Sequence, residues 1–99
     1  MQAREAGAIQ SPAVHFVYIV RCADGTFYTG YARDPARREA AHNKIGSTRG
    51  ARYTAGRRPV RLVYVERCRS VGAALKREYQ LKRLRRAEKE ALVASYSRP

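Results

Sequence analysis

The segment HFVYIVRC-ADGT-FYTGY, residues 15–31, constrains the fold more than any other part of the chain. Its two runs of β-branched and aromatic residues are joined by Ala23-Asp24-Gly25-Thr26. Asp-Gly between such runs is a strong hairpin signal, because glycine takes the positive φ that a tight turn needs. A lone hairpin is only marginally stable in water and needs a third strand or a covering helix. The rest of the chain supplies both. Asp34-Pro35 opens a helix, with Asp as the capping acceptor and Pro at the first helical position. That helix runs through ARREAAHN and ends near Gly46. Residues 44–61 are basic and Gly-rich, with room for one short helix at most. RLVYVER, residues 61–67, reads as a third strand, and Ser70 caps the helix VGAALKREYQLKRL. A last helix spans about Arg86 to Tyr96. The order β-β-α-β-α-α makes an α/β (α+β) fold, a small, mainly antiparallel three-stranded sheet flanked by helices. Gly30, inside the second strand, marks a close backbone approach or a bulge.

Ninety-nine residues make one domain. Residues 1–13 are small and polar and read as a flexible tail, leaving 14–97 as the folded part. Lys and Arg number 21 against 8 Asp and Glu, a net charge of +13. Such an excess calls for a polyanionic partner, first of all nucleic acid. No apolar run nears the ~18 residues of a membrane span, so a membrane is not an expected partner. The start lacks the pattern of a secretory signal, and the expected location is cytoplasmic. Cys22 and Cys68 are too few for a disulfide framework or a four-ligand zinc site, and read as free thiols.

The helix after Ser70 contains a misplaced acid. At about 100° per residue, Val71, Ala74, Leu75, Tyr79 and Leu81 share one arc, the expected sheet-facing side. Glu78 and Lys82 fall in the middle of it. Either they form an i,i+4 ion pair at the core edge, or Glu78 is a metal-binding carboxylate facing a cleft. On the preceding helix Arg38 and His42 lie four apart on one face. Arg can neutralise a phosphate and His can move a proton. Among the 7 tyrosines, Tyr64 and Tyr79 read as core filler, whereas Tyr18, Tyr28 and Tyr31 lie on the hairpin beside that Arg/His helix.

Together these pieces resemble the GIY-YIG nuclease superfamily. Phe16-Val17-Tyr18 is similar to its first motif, with Phe16 where the motif has Gly, and Tyr28-Thr29-Gly30 is similar to its second. Arg38 with His42 one turn later, and Glu78 on a later helix, fill the following positions in order. Pro35-x-x-Arg38, Tyr53-Thr54 and Ala74-Leu75-x-x-Glu78-Tyr79-x-x-Lys82 suit the small stand-alone bacterial members, the YhbQ-like group. Asn43 is the only Asn in the chain, so the Asn that several family nucleases carry in their C-terminal part has no counterpart.

The resemblance implies a metal-dependent endonuclease acting on phosphodiester bonds of nucleic acid, DNA before RNA, in DNA repair or processing. Glu78 would hold one Mg²⁺ (or Mn²⁺). Arg38 would neutralise charge on the scissile phosphate. Tyr18 would act as general base, its phenol lowered from ~10 by the metal and nearby cations. His42 would share that proton, and Tyr28 would orient water or phosphate. Gly30 would let the backbone approach the substrate. Arg49, Arg52, Arg57 and Arg58 would grip flanking phosphates, with Tyr53 and Lys82 beside them. An unidentified protein partner would direct substrate choice. Two other readings remain open: a nucleic-acid-binding module with an inactive centre, and an RNA-associated structural protein.

Overall fold

Gly25 closes the hairpin with a φ of 86°. The Cys22 N–H donates to Thr26 O at 2.8 Å. Asp24 Oδ1 accepts from both the amide and the hydroxyl of Thr26, at 3.0 and 2.6 Å. The computed structural model describes residues 14–44 and 51–96, the side chains of Ala51 and Arg52 excepted. The tail at residues 1–13, Gly46 and Arg49 lie outside the described residues.

Strand β1 is His15–Arg21 and β2 is Phe27–Ala32. Helix α1 spans Pro35–Asn43 and the short α2 spans Ala51–Ala55. Strand β3 is Arg61–Cys68, α3 is Val71–Lys82 and α4 is Arg86–Ala94, two residues short of the expected Tyr96. The sheet order is β2-β1-β3, antiparallel throughout, so the expected α+β architecture holds. The caps work as their sequences require: Asp34 Oδ1 accepts from Arg37 N at 3.1 Å and Ser70 Oγ from Ala73 N at 3.0 Å. Gly30 carries no bulge. The register shift lies between Ile19 and Val20, against β3.

Central strand β1 is buried on both faces, Val17 through Val20 being fully covered. Its alternation sends Tyr18, Val20 and Cys22 to one side, with Val60 and Leu62, where α1 and α2 pack. Val17 points to the other side, with Ala74, Leu81, Leu84 and Leu92 of the α3–α4 segment. Each fully buried Val, Ile or Leu here contributes roughly 1.5–3 kcal/mol. Helix α1 is also tied to the outer edge of β3. Glu39 Oε2 accepts from Leu62 N at 2.6 Å, and the Asn43 amide exchanges two bonds with the Val60 backbone, at 2.7 and 2.9 Å.

Helix α3 corrects the wheel. Ala74 and Leu81 are fully buried, but Val71, Leu75 and Tyr79 are 48%, 52% and 63% exposed. The helix is rotated so that the Ala74–Glu78–Leu81 line meets the sheet and the other half of the apolar arc faces out. Tyr79 is therefore not core filler. Its hydroxyl accepts from Arg83 at 3.2 Å, and that guanidinium sits over its ring. Tyr64 does pack in the interior, half-buried on the α3–α4 side.

Candidate active site

The hairpin register sets Tyr18 opposite Gly30, and the two-residue period puts Tyr28 on the same face. A Cβ at Gly30 would stand 2.6 Å from the Tyr18 oxygen and 2.7 Å from Cζ. Glycine is thus required by the phenol that lies over it, an internal reason for the residue. The side chain of Tyr18 lies across the hairpin because nothing on β2 blocks it.

From above, α1 brings His42, which is 1% exposed. Its Nε2 lies 2.9 Å from the Tyr18 oxygen, and its Nδ1 lies 2.9 Å from Thr54 Oγ1, fully buried on α2. Tyrosine, histidine and threonine form a continuous polar chain inside an otherwise apolar layer. Tyr28 meets the His42 ring edge-on at 5.3 Å and stacks on Tyr53 at 5.7 Å. Thr54 belongs to the Tyr53-Thr54 segment of the resemblance, which gives it no role. Its only signal in the sequence was its place beside Tyr53.

Arg38 is half-buried one turn before His42 and reaches back toward the Tyr31 carbonyl at 3.5 Å. The Tyr18 phenol is pushed up to about 12, first by burial and then by Tyr28, while Arg38 pulls it down and Glu78 raises it further. Burial thus outweighs the cation, and the protein's own charges do not deliver the lowered phenol expected from the sequence. The same balance of charges places Tyr18, Tyr28, Arg38 and Glu78 in one electrostatic group.

Glu78 forms the i,i+4 ion pair offered for it. Its carboxylate is 17% exposed and pairs with Lys82 Nζ at 2.9 Å, and it also acts on Tyr18. Among the described residues no three His, Cys, Asp or Glu side chains gather to hold a metal. Any cation here would rest on one carboxylate. That fits a hard, largely hydrated ion such as Mg²⁺, which commonly takes one or two carboxylates and keeps its waters.

The arginines of the loop are otherwise engaged. Arg57 Nε pairs with Asp24 at 3.0 Å, its Nη1 donates to Tyr53 O at 2.7 Å, and its guanidinium lies over the Tyr53 ring at 4.1 Å. Arg58 donates to His42 O at 2.9 Å and to Ala55 O at 3.0 Å. Both fasten the segment before β3 onto α1 and the hairpin turn. Arg52 lies on α2, and its side chain is not among those described.

Over residues 14–91 the chain matches the GIY-YIG catalytic domain. The chain belongs to the GIY-YIG family. It is 56% identical over 78 residues to UPF0213 protein DP2720 of Desulfotalea psychrophila, covering 79% of this chain and 69% of that protein. It is 51% identical over 79 residues to UPF0213 protein VNG_2274C of Halobacterium salinarum, covering 80% of this chain and 99% of that one. The solution NMR structure of UPF0213 protein BH0048 from Bacillus halodurans matches with a TM-score of 0.54 at 44% identity, over 87% and 88% of the two chains. The resemblance to small members of the family holds. Within this GIY-YIG domain Tyr18 lies over Gly30 and against His42, Tyr28 meets His42 and stacks on Tyr53, Lys82 pairs with Glu78, and the charges of Arg38 and Glu78 act on Tyr18. No helix among the described residues is long and apolar enough to cross a membrane.

Proposed function

We propose that this GIY-YIG domain hydrolyses phosphodiester bonds in nucleic acid, DNA in the first instance, with one Mg²⁺ or Mn²⁺ held by Glu78. The observation that carries this reading is the buried Tyr18–His42–Thr54 chain, whose phenol feels the charges of Arg38 and Glu78. A neutral phenol is a poor base by itself. Tyr18 becomes one by passing its own proton to His42 Nε2 as it takes a proton from the attacking water. His42 must then carry its resting proton on Nδ1, donated to Thr54 Oγ1. Arg38 neutralises charge that builds up on the scissile phosphate. Tyr28, braced by Tyr53, orients the water or a phosphate oxygen. The metal, when bound, supplies Lewis-acid polarisation of a phosphate oxygen.

One observation favours a second reading. Lys82 already occupies the Glu78 carboxylate at 2.9 Å, as a binding module with an idle centre would have it. Incubating the purified protein with Mg²⁺ or Mn²⁺ and single-stranded, duplex, flap and branched DNA decides between them. The nuclease reading expects metal-dependent cleavage of at least one substrate that chelator abolishes. Binding without cleavage on the whole panel selects the module.

A further inference from the structure

A second group of arginines shares a cleft with Arg38. Arg33 follows β2, and Arg37 and Arg38 lie in the first turns of α1. With Ala32, Asp34 and Ala41 they line a cleft of about 450 Å³. The Asp34 carboxylate is turned to the helix end, where it accepts from Arg37 N at 3.1 Å. Arg33 and Arg37 are exposed, and among the described residues neither side chain forms a hydrogen bond or ion pair. They differ in this from Arg57 and Arg58, whose donors are committed to internal acceptors.

We propose that this cleft holds a backbone phosphate of the nucleic-acid strand adjacent to the scissile one, so that the strand leaves the Tyr18 group along the start of α1. The proposal rests on the nuclease reading and adds the path of the substrate. Three guanidinium forks around one opening match the oxygens of a phosphate, and two of them have donors to spare. Arg38 belongs both to this cleft and to the Tyr18 group, so phosphates on its two sides are neighbours along a strand. Among the described residues the lining has no aromatic ring on which a base could stack. The contact is therefore to backbone and indifferent to sequence.

The test compares two double variants for binding to a fluorescent DNA oligonucleotide in chelator, across a salt series. Arg33→Gln/Arg37→Gln opens the cleft. Arg61→Gln/Lys89→Gln removes the same two charges at the Arg21 end of the sheet. The first pair should weaken binding about tenfold or more and flatten the slope of log K against log salt by about 1 to 2, while the control loses less than about threefold. Equal losses in both pairs, or no loss in the first, overturn the proposal while leaving the nuclease reading intact. Inorganic phosphate binding that the first pair abolishes while leaving oligonucleotide affinity unchanged would make the cleft a free-phosphate site and also overturn it. A wild-type protein that binds no nucleic acid would bring down the nuclease reading, and the cleft assignment with it. Thermal unfolding of each variant checks that the fold is kept.

Discussion

The two sides of the sheet solve different problems. Beneath α3 and α4 the interior is apolar, built from Val17, Ala74, Leu81, Leu84 and Leu92. Beneath α1 and α2 a tyrosine, a histidine and a threonine are buried in line. Burying three polar groups is tolerable only because each finds a partner. Apart from Glu78 at its edge, the first side supplies stability through apolar packing. The other keeps its polar groups aligned at some cost in stability, as proposed for a site that must move a proton.

The sharpest way to break this contrast is Glu78→Gln, which alters the one acid of α3 that reaches the Tyr18 group. Cleavage rates should fall by about two to three orders of magnitude or more, as when a charge-stabilising group is lost. Stability should change by under ~1 kcal/mol, since the lost Lys82 pair is only partly buried. Cleavage by the variant at the wild-type rate would end the metal role of Glu78. Leu81→Ala attacks the apolar side. It should cost about 2–5 kcal/mol in denaturant unfolding, with the folded fraction still cleaving. A variant that stays folded but inactive would show that the two sides are not separable.

Alkaline pH probes the polar side. The Tyr18 phenol is held near 12 against an ordinary 10.0, so the folded protein favours the protonated form. Its contribution is complete below pH 10 and should be lost between about 10 and 12, by roughly 2–3 kcal/mol. Circular dichroism across that range should show a weakening step that Tyr18→Phe removes. An unchanged alkaline profile in that variant would contradict the burial argument. The smallest effect is expected from Thr54→Val, about 1–2 kcal/mol for a buried partner removed. Its better readout is NMR of the His42 ring nitrogens, which should move away from the Nδ1–H form, with Thr54→Ser restoring it. A His42 tautomer indifferent to both substitutions would remove Thr54 from the chain.

Local signals were legible in the sequence and non-local ones were not. Asp24-Gly25 and Asp34-Pro35 act within a few residues, so the hairpin and the start of α1 follow from them directly. The Val71–Leu75–Tyr79 stripe shows the limit. A wheel reveals that a helix has an apolar arc wider than its contact, but the sheet decides which part is covered. Arg57 and Arg58 show another. Composition counts charges, whereas Asp24, Tyr53 O and His42 O decide which of them remain available. Thr54 reaches His42 from twelve residues away, across a connection whose path no periodicity encodes.

The ties between α1 and β3 have a consequence beyond holding a helix in place. Strand β3 is an outer strand, and outer strands offer unpaired amides on which another chain can build. Here the amides of Val60 and Leu62 donate to Asn43 and Glu39. By occupying those two donors, the helix that carries Arg38 and His42 also removes a template for intermolecular strand pairing.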